Sequence, residues 1–216
     1  MQSGLPLAVV SILGIVCVVG FNVCIYLLLS AKHQKELLAK NKQLEETLEK
    51  ANILANTDSL TGLFNRRYMA ERFSEQIEYA EKSGNPFSII ICDIDGFKRI
   101  NDSFGHDIGD KVLSIISSFF KESCRGKDII SRWGGEEFLF LLPKTNIEES
   151  VKVAERLRND IQELDYGLCD DLIITMTFGV STYSSGAKID SIIKSADTAL
   201  LFGKENGKNR VEMYQE

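Results

Sequence analysis

The first 31 residues carry no charged side chain, and from Leu5 to Leu29 the run is almost wholly apolar. As a helix rising 1.5 Å per residue, such a run spans roughly 37 Å, enough to cross a bilayer core with some tilt. Gly14, Gly20 and Asn22 fall inside it and do not spoil it. A cleaved signal peptide fits less well, because no Lys or Arg precedes the run and the run is long. Lys32, Lys35, Lys40 and Lys42 follow directly, which puts the C-terminal side in the cytoplasm by the positive-inside rule. The expectation is a single-pass inner-membrane protein with a cytoplasmic body and no external sensor domain. Three parts follow from this: a transmembrane helix with a short outer segment over 1–31, a helical linker over 32–57, and a globular domain over 58–216.

In the linker, Leu37, Leu44, Leu48, Ala51 and Ala55 recur at steps of seven, four, three and four, with polar Asn41 among them. This spacing resembles a coiled-coil seam. It covers few heptads, so a single solvated connector helix stays open as the other reading. The net charge is −6, which argues against a general nucleic-acid binder. Nucleotide phosphates would then need metal ions or a few well-placed Lys and Arg. The five cysteines are odd in number and form no C-x-x-C pair, so they are expected to be buried thiols in a reduced compartment.

Beyond residue 58 the patterns alternate between helix and strand. The spacing predicts helices over 65–82, 107–124, 147–164 and 189–203. Strands are predicted over 87–95, 128–133, 136–142, 172–183 and 210–214. Gly134-Gly135 between two strands reads as a two-residue hairpin link, whose primed turn needs positive φ. The order β-α-β-β-α-β with flanking elements predicts an α+β fold: a ferredoxin-like, palm-type antiparallel sheet with flanking helices.

Acids come from two places in that fold. Asp93 and Asp95 end one predicted strand, and Glu136 and Glu137 start the strand after the glycines. Converging carboxylates suit Mg²⁺, which keeps waters and shares phosphate oxygens with a substrate. Strand alternation would send Glu136 and Glu137 to opposite sides unless the turn distorts them. Exposed acids on a hairpin are the plainer reading. The segment after Asp95 reads as a loop in which Gly96 and Phe97 could offer N–H groups to phosphate, as a nest does. Lys98 is a compact cation for a phosphate, and Asn101 with Asp110 has complementary capacity for a guanine edge. No G-x-x-x-x-G-K-[ST] motif occurs.

Four separated motifs carry a resemblance. They are DSLTGLFNRR from Asp58, DIDGFKRINDSFGHDIGD from Asp93 to Asp110, RWGGEEF from Arg132 to Phe138, and GKENGKNRV from Gly203, which follows Ala196-Asp197-Thr198-Ala199-Leu200. Together, over about 57–214, they closely resemble the GGDEF-domain diguanylate cyclases. The resemblance implies Mg²⁺ (or Mn²⁺) held by Asp93, the Ile94 carbonyl and Glu136, with Glu137 near or in the metal shell. It implies Glu136 as base for a ribose 3′-OH and Lys98 on the transferring phosphate. Asn101 and Asp110 would read guanine, with His106 near the nucleotide, while Lys204 and Lys208 would grip the terminal phosphates. Two domains, each holding one GTP, would meet as a homodimer and release cyclic di-GMP and pyrophosphate. Glu136 stands where the name motif has Asp, a change the family accepts. Lys208 stands where Arg is usual and loses the bidentate fork, which is expected to weaken GTP binding.

Arg125-Gly126-Lys127-Asp128 matches the family's R-x-x-D inhibitory site for cyclic di-GMP, with Arg156 as a secondary arm. Two rivals differ in class from an active cyclase. One is a catalytically silent receptor for GTP or cyclic di-GMP. The other is a palm-type cyclase making cyclic AMP or cyclic GMP.

Overall fold

Helix α1 runs unbroken from Leu7 to Asn56, about 75 Å at 1.5 Å per residue. This computed structural model describes residues 7–168 and 172–214. The chain divides into two units, Met1–Ile53 and Leu54–Glu216. In the first unit, Val16, Val19, Phe21, Tyr26 and Leu28 are all exposed. By length and composition this helix is able to cross a membrane. Asn22 fits there because its side-chain amide donates to the Val18 carbonyl at 2.8 Å. Further along, the seam residues Leu37, Leu44 and Leu48 are 47%, 57% and 60% exposed.

The second unit is built on a six-stranded sheet in the order β1-β3-β4-β2-β5-β6. Its strands are β1 (Phe64–Asn65), β2 (Phe87–Ile94), β3 (Ile129–Arg132), β4 (Glu137–Pro143), β5 (Met176–Thr182) and β6 (Val211–Met213). The inner four, β3-β4-β2-β5, are antiparallel, as a ferredoxin-like layer requires. Short β1 and β6 join the two edges in parallel and make the sheet mixed. β1 has only two residues, too few to show a period. β5 begins four residues later than the 172–183 alternation predicts.

β2 is buried along its whole length because helices cover both sheet faces. On one face Ile90, Cys92 and Ile94 pack with Val112, Ile116, Phe120 and Leu157. These come from α4 (His106–Ser123) and α5 (Ile147–Glu163). On the other face Ile89 and Ile91 pack with Met69, Phe73, Ile192 and Leu200, from α2 (Arg66–Ser83) and α6 (Ile189–Glu205). Local chemistry sets the helix ends. Asn65 caps α2 by accepting from Tyr68 N–H, and Asn146 with Glu149 forms a capping box on α5.

Three expectations change. The segment after Asp95 is not a loop but helix α3 (Phe97–Phe104). Phe97 and Ile100 stand at helical spacing and are buried, a signal masked by the flanking Gly96 and Gly105. The Gly-Gly link is not a two-residue primed turn. β3 ends at Arg132, the turn closes through Trp133 N–H to the Glu137 carbonyl at 2.8 Å, and neither glycine has positive φ. The thiols are not uniformly buried: Cys92 is buried and Cys124 partly so, but Cys17 and Cys24 are exposed on α1. Cys169 lies outside the described residues.

The tightest helix–sheet approach is at Gly179 in β5. A Cβ there would collide with the Ala196 carbonyl and the Leu200 backbone of α6. Gly179→Ala is expected to cost about 3 kcal/mol by overpacking. The melting temperature of the detergent-solubilised chain should fall by several degrees; an unchanged melting temperature would contradict this packing.

Candidate active site

β2 delivers Asp93 to the sheet's end, 5% exposed, beside Glu137 of β4 and Thr177 of β5 in register. Cross-strand partners share a face, so Asp93 and Glu137 lie on the α2/α6 side. There Lys204 of α6 pairs with Asp93, Nζ to Oδ2 at 2.9 Å. Burial, then the Glu137 and Asp95 carboxylates, push the Asp93 pKa up, while Lys204 opposes them. Glu136 sits in the turn rather than the strand, and its carbonyl accepts from Ile94 N–H at 3.4 Å. Its pKa is also raised, by burial and then by Asp93, with Lys204 again opposing. Asp93, Glu136 and Glu137 therefore share one electrostatic neighbourhood. Among the described residues no three His, Cys, Asp or Glu side chains by themselves form a group able to hold a metal ion.

The candidate nucleotide residues lie on α3 and α4. Gly96 is left-handed at φ 70° and starts α3 with no side-chain cap. Arg99 and Ile100 N–H donate back to the Gly96 carbonyl, and no side chain caps the N–H groups before them at the end of the acid-bearing strand. Phe97 is buried and Lys98 exposed. Asn101 lies against Gly109 of α4, where any Cβ would collide with the Asn101 amide. Asn101 Oδ1 is buried and has no hydrogen-bond partner in the chain. Asp110 and His106, both on α4, are exposed.

Asp95 adds its charge to that around Asp93, but both its oxygens are engaged elsewhere. Its Oδ1 accepts from the Thr177 hydroxyl at 2.6 Å. Its Oδ2 accepts from the Thr175 hydroxyl at 2.8 Å and from Asn209 N–H at 2.9 Å. Lys208 is exposed on the same C-terminal loop as Asn209. Arg132, a further residue given no role by sequence reasoning, ties the signature turn to the start of the domain. Its Nη1 reaches both Asp58 oxygens at 3.1 and 3.2 Å, and its Nη2 donates to the Gly135 carbonyl at 2.7 Å. Burial raises the Asp58 pKa, but hydrogen bonds from Thr61 and Arg132 hold it below the ordinary carboxylate value. The presence of both residues in motifs was the available signal; their pairing was not.

Arg125 and Asp128 close a turn before β3. Arg125 N–H donates to Asp128 Oδ2, and Asp128 N–H to the Arg125 carbonyl, each at 2.9 Å. Both line a cavity of about 260 Å³ with Phe64, Lys121 and Cys124. Burial pushes the Asp128 carboxyl up and the Cys124 thiol up to about 12. Arg156 is not in that lining; it donates to the Ser123 carbonyl at 2.9 Å.

Comparison with known proteins identifies relatives in sequence and in fold. Diguanylate cyclase DosC of Escherichia coli K12 is 34% identical over 160 residues, 73% of this chain and 35% of DosC. Response regulator PleD of Caulobacter vibrioides NA1000 is 36% identical over 189 residues, 85% of this chain and 42% of PleD. The chain thus spans less than half the length of either. Among solved structures, the coiled coil and GGDEF domain of DgcB from Caulobacter crescentus, in complex with c-di-GMP, superposes with a TM-score of 0.78. It is 28% identical, and the match covers 84% of this chain and 97% of that one. The active GGEEF domain of a Vibrio cholerae diguanylate cyclase gives 0.67 at 35% identity, over 70% and 97%. The family model described as diguanylate cyclase, GGDEF domain, matches residues 55–210. Because that stretch takes in the first five strands and both acid-bearing turns, the chain belongs to the GGDEF-domain diguanylate cyclase family.

Proposed function

We propose that this chain is a membrane-anchored diguanylate cyclase that joins two GTP into cyclic di-GMP and releases two pyrophosphates. The observation that carries the reading is the gathering of Asp93, Glu136 and Glu137 at the end of β2, with Lys204 paired to Asp93. The relatives that bear the name diguanylate cyclase support it. A catalytically silent receptor has no need of this intact acid group.

The donor set fits a divalent ion. Mg²⁺ takes one or two carboxylates and completes its shell with water and substrate phosphates, so no preformed cage is required. Asp93 raises the proton affinity of Glu136, and Glu137 and Asp95 raise that of Asp93, which an added cation would relieve. Asp93, the Ile94 carbonyl and Glu136 would hold Mg²⁺ (or Mn²⁺), with Glu137 beside them. When bound, the ion would neutralise charge on the α-phosphate.

The chain's own residues supply the rest. Asn101 and Asp110 bind the guanine edge, the orphaned Asn101 amide having a polar partner to gain there. His106 lies by the nucleotide, and the uncapped start of α3 at Gly96 and Phe97 receives phosphate oxygens. Lys204 and Lys208 hold the terminal phosphates. Glu136, with its raised pKa, accepts the proton of one ribose 3′-OH. The freed oxygen bonds to the α-phosphorus of the partner site's GTP as the bond to pyrophosphate breaks. Lys98 meets the charge on that phosphate. Two half-sites must face each other, and the exposed seam of α1 supports a homodimer. Linking the sites in this way raises the effective concentration of one for the other. The apolar part of α1 would anchor the dimer in the inner membrane, with the catalytic unit in the cytoplasm. Arg125 and Asp128, with Arg156 as an outer arm, form the product-inhibition site, its cavity closed by Phe64 and Lys121.

The full chain in detergent, given GTP and Mg²⁺, is expected to yield cyclic di-GMP by chromatography. Glu136→Gln and Glu137→Gln should each lower the rate at least a hundredfold, the scale of a lost general base. A dimeric preparation that binds GTP without turnover would overturn the enzymatic reading in favour of the receptor.

The acid pKa directions give a second test. Ionised Asp93 and Glu136 are needed, and Lys204 holds both pKa values down. Lys204→Met should therefore move the acidic limb of the kcat–pH profile to higher pH. A limb that stays in place would separate Lys204 from the acids.

A third test addresses regulation. Arg125→Ala should raise the half-inhibitory cyclic di-GMP concentration about tenfold or more, since charge-assisted hydrogen bonds contribute about 1.5–3 kcal/mol. Unchanged inhibition would remove the site from Arg125.

A further inference from the structure

The loop after α6 holds a backbone that its residues disfavour. Gly207, Lys208 and Asn209 have φ of 113°, 62° and 45°. Glycine adopts such angles freely and asparagine tolerates them, but Lys208 is disfavoured there. A left-handed pair of this kind persists only where its surroundings hold it. Here they do so at three points. Lys208 N–H donates to the Gly203 carbonyl at 3.0 Å. The Asn209 side chain accepts from Arg158 Nη1 at 3.0 Å and donates to Gln162 Oε1 at 2.9 Å, both on α5. Asn209 N–H donates to Asp95 Oδ2 at 2.9 Å.

Asp95 is the member of this set that reaches the catalytic strand. It follows the last residue of β2, two positions after Asp93, and its own N–H donates to the Thr175 carbonyl at 2.9 Å. Its two oxygens accept from two threonine hydroxyls and the Asn209 N–H. An ionised carboxylate only accepts, so it suits three converging donors. The same three donors engage both oxygens and leave Asp95 little capacity for a cation. The Thr177 side chain adds a steric link: its methyl lies 2.7 Å from where a Cβ on Gly203 would stand, so the glycine lets α6 end close against β5.

We propose that Asp95 is a positioning residue for the polyphosphate end of the nucleotide. By fixing the left-handed turn at Lys208 and Asn209, it sets where the Lys208 ammonium stands. Through the Gly203–Lys208 bond it also steadies the last turn of α6, from which Lys204 reaches Asp93. The inference rests on the reading of Lys204 and Lys208 as phosphate-binding cations. In the sequence Asp95 looks like another metal acid; in the fold it works on the loop instead.

Steady-state kinetics on the full chain test it, with GMP as a competitor that lacks the β- and γ-phosphates. Asp95→Ala is expected to raise KM for GTP about tenfold, leave kcat within about threefold, and leave the inhibition constant of GMP within about twofold. Lys208→Ala should show the same split, and the double variant should be no weaker than Lys208→Ala alone, because both act through one contact. If Lys208→Ala raises KM while Asp95→Ala does not, the positioning role is overturned and the phosphate reading stands. If Lys208→Ala leaves KM unchanged, the phosphate reading fails and this inference fails with it. An equal loss of GTP and GMP binding in Asp95→Ala would overturn the role by showing general damage to the site. Should Asp95→Ala not fold, Thr175→Val removes one donor from Oδ2 and leaves Asp95 in place. It is expected to raise KM for GTP about threefold with GMP unaffected, and no change in KM would overturn the proposal.

Discussion

The Asp93–Lys204 ion pair joins a carboxylate at the end of the central strand to the last turn of the C-terminal helix. Its placement depends on nearly everything else in the catalytic unit. β2 must be covered on both faces for its apolar run to be stable, and that cover is α2 and α6 on one side, α4 and α5 on the other. Alternation along β2 then puts Asp93 on the α6 face, where Lys204 can reach it. A buried pair of this type is poor evidence for net stability, but loss of one partner leaves an uncompensated charge, at a cost of about 3–5 kcal/mol. The pair therefore ties α6 to the sheet and opposes the burial that raises the Asp93 pKa.

The signature turn is held from a different direction. Arg132 spans from Asp58 to the Gly135 carbonyl, so the start of the catalytic unit and the Gly-Gly turn share one guanidinium. The last turn of α1 is fastened to the same region, because Asn65 and Arg67 both donate to the Ala55 carbonyl. Residues 55 to 67 thus form a short bonded path from the end of the linker helix to β1, and β1 pairs with β3 at Arg132. A displacement of the helix end would be felt at the turn through bonds rather than through loose chain.

Much of this was legible in the sequence, for physical reasons that differ between elements. The run 87–94 read as a buried strand because a two-faced strand has no polar alternation to confuse it. Helices α4, α5 and α6 carried clear apolar stripes. Helix α3 was not legible, since its two buried positions sit between glycines that signal a loop. The edge strand β1 is defined by its neighbour, and little in its two residues marks it, whereas β6 falls inside the strand read over 210–214. At the site, residue types were readable but their geometry was not. Asp93 and Asp95 look alike in the chain, yet one meets Lys204 and the other accepts from Thr175, Thr177 and Asn209. Only the register of β5 and the return of the C-terminal loop distinguish them.

The same register separates the two neighbouring glutamates. Glu137 is the first residue of β4, paired with Asp93, and its carboxylate lies where a Cβ on Gly134 would be. Strand register and that close packing fix its position before any ligand arrives. Glu136 belongs to the turn, is held by its backbone carbonyl, and has its proton affinity raised by burial and by Asp93. A group that must take up a proton and give it back is better placed where its side chain is free to reorient. A group that must define a charge at a fixed point is better placed on the strand. On this geometry Glu137 is placed by strand register and Glu136 by its turn, and a Cβ on Gly134 would meet the Glu137 carboxylate.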